Sequence, residues 1–312
     1  MTIEEIMAGA AEAVTKGATR RELKWKPVAQ TLDDVTSEPK LMIYGPSGSG
    51  KTHLLLGPLL CGENLLVRNV DFGGSGLITI QHALAAVGRQ DLLSRVYAVT
   101  LPTYDHYFDS FDNPLDYFPR LDPGHEKRFT PTVSVLEGIS GLQLNAIDPH
   151  IHGEELDAED RWGYYRKLKN ATLRAFHEFL TERWSGPLDD TDKPSWELPD
   201  CARIMTGLES GEVKIRDKKL GDITKRVVAG TEYEGKRGVY ISGAAGTLLE
   251  PAFDLIIGCF VDDGTFLEPK PREYKYRCQL GGAALGKQRG YGLPEIMVAD
   301  PVMVWKKIRG LS

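Results

Sequence analysis

The sequence predicts an α/β protein with a mainly parallel sheet flanked by helices and further antiparallel strands towards the C-terminus. Three observations predict it. Short apolar runs at 41–44, 64–70, 95–101, 132–137 and 202–208 are separated by stretches with helical spacing, the pattern of strands joined by crossover helices. A glycine-rich loop stands between the first of these runs and a leucine-rich helix start at His53-Leu54-Leu55-Leu56. Later runs at 239–242, 254–261 and 273–280 succeed one another with no long helical pattern between them.

Bulk properties set limits on this reading. The 312 residues allow one large α/β domain or two small ones with a sizeable core. The net charge of −6 argues against a protein that is basic overall, so any nucleic-acid contact requires a local basic patch. Cys61, Cys201, Cys259 and Cys278 are far apart with no C-x-x-C pair, which argues against zinc and suits a reducing compartment. Met1 to Gly17 carries Glu4, Glu5 and Glu12 and lacks the basic start and apolar run of a signal peptide. No stretch has the apolar length of a membrane span, so a cytoplasmic protein without a membrane partner is expected.

Residues 1–39 read as an N-terminal helix and linker. Ile3, Ile6, Met7, Ala10, Ala11 and Val14 recur at helical spacing, and Pro27 and Pro39 punctuate the linker. The helix either packs on its own domain or docks on a neighbouring copy. Residues 40–312 form the main domain. Lys40 to Tyr44 is its first strand, and the helix after the loop runs to about Leu60. Asn64 to Val70 is the second strand, leading into Asp71-Phe72-Gly73-Gly74, with a helix over Ile80 to Ala86. Arg95 to Leu101 is the third.

Residues 102–130 interrupt the alternation with aromatics, among them Tyr104, Tyr107, Phe108, Phe111, Tyr117 and Phe118, and with four prolines. This aromatic insertion is either a lid or base-stacking platform, or a segment whose rings pack on the domain. Its many acids, among them Asp105, Asp109 and Asp112, favour packing because they would repel a phosphate backbone. Thr132 to Glu137 is the fourth strand. The longest helical pattern spans 157–184, with Trp162, Tyr165, Leu168, Leu173, Phe176, Phe179 and Leu180 as core positions. A basic, hairpin-like stretch at about 210–238 carries Lys214, Arg216, Lys218, Lys219, Lys225 and Arg226. It is either a surface for nucleic-acid backbone or a solvated hairpin. The chain closes over Ile296 to Ile308, with a helix start at Ala299-Asp300-Pro301.

The chemistry concentrates in Gly45-Pro46-Ser47-Gly48-Ser49-Gly50-Lys51-Thr52, which fits G-x-x-x-x-G-K-[ST]. Strand, glycine loop and helix together turn backbone N–H groups towards one point, where they cradle phosphates. Lys51 is expected to reach the β- and γ-phosphates of ATP, and the Thr52 hydroxyl to bind Mg²⁺. Such a site also needs an acid at the end of a core strand, and Glu137 stands at that place as the second metal-site residue.

The ordered set of motifs resembles the phage-encoded RecA-like P-loop ATPases, a group that includes single-strand annealing proteins and recombinases. The resemblance spans roughly 40–309. It is carried by the phosphate loop, by Asp71-Phe72-Gly73-Gly74, by Val135 to Leu142, by Met205-Thr206-Gly207-Leu208-Glu209, and by Ala284 to Pro294. It implies that Asp71 polarises the attacking water and that Glu137 orders the magnesium shell. Lys287 and Arg289 would enter the active site of an adjacent subunit and neutralise the γ-phosphate. An ATPase that assembles as a ring or filament on single-stranded DNA, in recombination, annealing or replication, is the first expectation. A P-loop small-molecule kinase is the second, and a nucleotide-gated DNA-binding assembly protein with little hydrolysis the third.

Overall fold

A computed structural model of the chain describes residues 38–70, 75–153, 161–185, 196–208, 212–217, 221–226, 235–236, 250–264, 269–279 and 287–311. By contacts the chain divides into Met1–Ser37 and Glu38–Ser312. The expected N-terminal helix, the strand at 239–242 and residues Asp71, Lys218 and Lys219 lie outside the described residues.

β1 (Lys40–Gly45) runs through the middle of the sheet, and every residue from Leu41 to Gly45 is buried. A strand covered on both faces has no need of polar alternation, which is why it reads as a continuous apolar run. A tight 3₁₀ turn (Thr52–Leu55) and the short α1 (Leu56–Leu60) come after the loop, ending at the residue the sequence expects. Next come β2 (Leu65–Asn69), α2 (Ser75–Ala86) and β3 (Val96–Thr100). The 102–130 segment folds as α3 (Tyr104–Asp112) and α4 (Pro114–Tyr117) before β4 (Val133–Glu137). After β4 the chain winds through α5 (Ile139–Gly141), a π-helical stretch (Leu142–Ile147) and α6 (Asp148–Gly153). α7 (Arg161–Thr181) leads to β5 (Ala202–Leu208). β6 (Glu212–Asp217), β7 (Gly221–Arg226) and β8 (Gly235–Lys236) form a small antiparallel sheet, so the expected hairpin is present and carries a third strand. β9 (Leu255–Gly264), β10 (Pro269–Arg277), β11 (Lys287–Gln288), β12 (Ile296–Val298) and α8 (Pro301–Ile308) complete the chain.

Among the described residues the main sheet has nine strands along the order β12-β10-β9-β1-β5-β4-β2-β3, with β11 also on β9. β9, β1, β5, β4, β2 and β3 are mutually parallel, whereas β10, β11 and β12 join antiparallel. The fold class read from the sequence is the one observed. Alternation along β1 splits the core: Leu41 and Ile43 face α1, α2 and α8, and Met42 and Tyr44 face α3, α5 and α7.

The aromatic insertion packs inwards. Tyr107, Phe118 and Phe129 are buried, and the Tyr107 hydroxyl donates to the Ala175 carbonyl at 2.7 Å. Its rings also close over Arg68 of β2, whose guanidinium is fully buried. α7 buries Leu168, Phe176, Phe179 and Leu180 as expected, but Tyr165 is 56% exposed. Tyr164 packs in its stead, with its hydroxyl on Asp148, so the buried row of the helix passes one position earlier in that turn. At the other end of the chain, the Asp300 side chain accepts from the Met303 amide and caps α8, with Pro301 in the first turn.

No helix among the described residues is long and apolar enough to cross a membrane.

Candidate functional site

The loop 45–52 leaves β1 at the centre of the sheet's C-terminal edge. Two glycines give it its curl: Gly48 and Gly50 have φ of 73° and 89°, in the left-handed region that side chains disfavour. Gly45 is needed for a different reason. A Cβ there would stand 2.2 Å from the Cys259 carbonyl oxygen of β9 and 2.5 Å from Ser49 Oγ. Ser49 is buried beneath the loop, while Pro46, Ser47 and Gly48 are exposed at its rim. Lys51 Nζ donates to the carbonyls of Gly45 (3.0 Å) and Pro46 (2.8 Å), so the ammonium is folded back across the loop's own opening. α1 is fixed from behind by α8: at Gly57 a Cβ would meet the Pro301 carbonyl oxygen at 2.2 Å. Trp305 Nε1 (3.2 Å) and Arg309 Nε (2.9 Å) both donate to Glu63 Oε1 just past α1.

Beside the loop stands the acid. β5 is inserted between β1 and β4, yet Glu137 at the end of β4 reaches across it, and Thr52 Oγ1 donates to Glu137 Oε1 at 2.9 Å. Glu137 is 5% exposed. The N-terminus of α2 presses on it, so that a Cβ on Gly76 would meet the Glu137 Cγ at 2.7 Å. The sharp exit from β4 is made by Gly138 in the left-handed region, and its amide donates to Thr206 Oγ1 on β5 at 3.0 Å. Ser140 Oγ accepts from the Leu208 amide at 3.0 Å. β5, the strand that carries the late polar residue, therefore pins the turn that aims Glu137.

A third wall was not legible in the sequence. Tyr44 pairs with Gly258, so β9 from Phe260 to Gly264 runs on past the level where β1 turns into the loop. β10 pairs with this extension and brings alternate residues over the loop. Tyr276 is buried, Tyr274 Cδ1 lies 3.3 Å from where a Cβ on Gly50 would be, and Arg272 Nη2 lies 4.0 Å from where a Cβ on Gly48 would be. Only the alternation Arg272-x-Tyr274-x-Tyr276 hints at this, and nothing in it says which loop the strand will face. The Cys259 thiol under the loop is pushed up by burial, with the Lys51 charge acting in the opposite direction.

The structure thus brings Gly45 to Thr52 and Glu137 together. It does not bring Lys287 and Arg289 to them within one chain. Lys287 pairs with Ile256, level with Met42, on the strand beyond β9. Its backbone is therefore roughly 10 Å down the sheet from the loop and roughly 10 Å across. The Arg289 amide bonds the Asp254 carbonyl, level with Lys40, and its guanidinium donates to Asp254 Oδ1 (3.0 Å) and the Pro251 carbonyl (3.0 Å). Asp71 comes just after the end of β2 but lies outside the described residues. In the small sheet, register sets Arg216 opposite Asp222 and Arg226 opposite Glu212, whereas Lys214 stands opposite Thr224 and Lys236, and Lys225 opposite Val213.

No family model matches the chain, and no curated protein is significantly similar to it. Among solved structures it is similar to the crystal structure of a KaiC-like protein from the hyperthermophilic archaeon Pyrococcus horikoshii OT3. The match has 12% identity and a TM-score of 0.35, and covers 84% of this chain and 89% of that one. A likeness of that size says nothing of function. What defines the class is the chain's own geometry: an α/β protein with a G-x-x-x-x-G-K-T loop at the end of its central strand.

Proposed function

We propose that the chain is a magnesium-dependent ATP-binding protein and ATPase of RecA type that acts on single-stranded DNA. The observation that carries the nucleotide half is the Thr52–Glu137 contact at 2.9 Å, made across an intervening strand at the mouth of the curled loop. A hydroxyl and a carboxylate held side by side next to a ring of amides suit a hard cation that shares its remaining positions with phosphate and water.

In this reading Thr52 binds the magnesium directly and Glu137 orders its shell. A magnesium ion held by these two residues would supply stabilisation of the negative charge that develops on the phosphates. The loop amides hold the phosphate chain. Lys51 exchanges the carbonyls of Gly45 and Pro46 for phosphate oxygens, and the Pro46 carbonyl it gives up lies at the exposed rim. Asp71 polarises the attacking water. Arg289 and Lys287 can serve a phosphate only on another copy of the chain, so their role requires self-association. The DNA half is supported by the basic content of 210–238, where eight Lys and Arg stand against five Asp and Glu.

The test is phosphate release from Mg-ATP with and without single-stranded DNA, run beside sizing of the particle. Lys51→Ala is expected to lower turnover by at least about a hundredfold while leaving the thermal midpoint within a few degrees. Turnover that survives Lys51→Ala, or transfer to a small-molecule acceptor instead of water, would overturn the reading.

A further inference from the structure

We propose that Arg272 is a phosphate-binding residue that serves the loop of its own chain. The inference rests on the nucleotide reading above and adds to that site a cation which neither the loop motif nor the trailing Lys287/Arg289 pair supplies.

Five observations carry it. Among the described residues, the chain neighbours of Gly48 apart, Arg272 Nη2 is the only side-chain atom within 4 Å of the position that a Cβ on Gly48 would take. Gly48 is exposed at the rim of the loop, and so is Arg272, so the space between guanidinium and loop opens to solvent and to a ligand. Among the described residues Arg272 has no carboxylate partner; it is stacked over the Tyr274 ring, 5.3 Å from its centroid. Neighbouring Lys275 is committed, to Asp262 at 2.6 Å and Glu273 at 3.1 Å. Finally, the β9–β10 register shifts between Pro269 and Glu273, so Arg272 lies in an irregular stretch of strand. Bulges of this kind re-aim a side chain beside a site.

The physical sense is direct. The loop's amides are partial charges, and an ATP phosphate chain carries several full ones. A planar guanidinium offers paired donors to two phosphate oxygens, and the Tyr274 face fixes its plane before any ligand arrives. A Cβ on Gly50 would meet Tyr274 Cδ1 at 3.3 Å, so the strand that carries Arg272 lies against the loop it serves.

The experiment measures equilibrium binding of a fluorescent ATP analogue with magnesium to the full chain and to Arg272→Gln, Arg272→Lys, Lys270→Gln and Lys51→Ala. Arg272→Gln is expected to weaken binding roughly ten- to a hundredfold, the scale of charge-assisted hydrogen bonds. Arg272→Lys should recover part of the loss, and Lys270→Gln, the same charge change two residues earlier, should bind as the wild type does. Mixing Arg272→Gln with Lys51→Ala chains should restore nothing, because each intact group sits on the wrong chain. Equal affinities for Arg272→Gln and Lys270→Gln would overturn the inference and leave the nucleotide reading standing. Restoration on mixing would overturn the assignment to the same chain. A folded wild type that binds no ATP analogue would sink both.

Discussion

Two regions of this molecule hold an arginine over aromatic rings, and they use it in opposite ways. In the core between β2 and α7, Arg68 is fully buried, 4.2 Å from the Phe111 centroid, 4.7 Å from that of Trp184 and 5.2 Å from that of Phe118. Its charge is answered by Glu182 at 3.0 Å and by Ser110 at 3.0 Å. On the β9–β10 wall, Arg272 has one ring, no carboxylate among the described residues, and an exposed position at the rim of the glycine loop. A guanidinium taken out of water must be matched in full, and once matched it has nothing left for a ligand. One left at the surface loses little by staying unmatched and keeps its donors free for an anion. Burial and pairing together thus separate a cation that holds the fold from one that is available to the site.

The largest effect should come from breaking the buried case. Glu182→Ala leaves the Arg68 charge without its carboxylate in a place water cannot reach, and is expected to cost about 3–5 kcal/mol of stability. Urea unfolding followed by tryptophan fluorescence reads this directly. The double variant Arg68→Met/Glu182→Leu sharpens the contrast, because removing both charges and keeping the volume should bring the stability most of the way back. If Glu182→Ala costs no more than a surface substitution, Arg68 is not committed as described.

A smaller effect is expected where polar groups hold the site itself. Thr206→Val keeps the shape of β5 and removes the acceptor for the Gly138 amide. A lost hydrogen bond at a partly buried donor costs about 1–3 kcal/mol. The turn that aims Glu137 should loosen with it. Magnesium-dependent ATP affinity is therefore expected to fall more than metal-free affinity, a split that general destabilisation would not produce.

Much of this was legible before any coordinates. The loop, its flanking strand and helix, and Glu137 at the end of β4 are local patterns, set by residues within a few positions of one another. Local sequence also decides the parallel core, since buried strands read as apolar runs and crossovers as helical spacing. What the sequence did not disclose depends on register between distant strands. That Arg272 faces Gly48 requires β9 to overrun β1, β10 to pair with the overrun, and the register to slip between Pro269 and Glu273. That Lys287 and Arg289 sit down the sheet from the loop comes from β11 pairing with the start of β9. The aromatics of 102–130 could have formed a platform on composition alone. They became core because α3 and α4 fold them onto Arg68, the partner that no local window reveals.

The smallest effect tests how the wall is held. Lys275 and Asp262 bond across β9 and β10, and that hydrogen bond is the leading cause of both shifts, holding the Asp262 carboxyl below its usual range and the Lys275 ammonium above its own. The depressed carboxyl contributes above the ordinary carboxylate range, and its contribution fades as pH falls through the lowered value. The raised ammonium contributes below the ordinary lysine range and fades as pH rises through the raised value. Between those limits the bond is intact, and it fixes the strand next to Tyr274 and three residues from Arg272. The pair is partly exposed and screened by salt, so its share of global stability is small. Its effect should instead be local. In Asp262→Asn, amide hydrogen exchange is expected to rise along Phe260–Gly264 and Glu273–Lys275 at neutral pH, with no change in β2 or β4. The difference from wild type should close as pH is lowered through the Asp262 range, where the wild-type bond is lost as well. If the exchange rates match at neutral pH, the wall stands without this bond, and Tyr274 packed on Gly50 is what keeps Arg272 beside the loop.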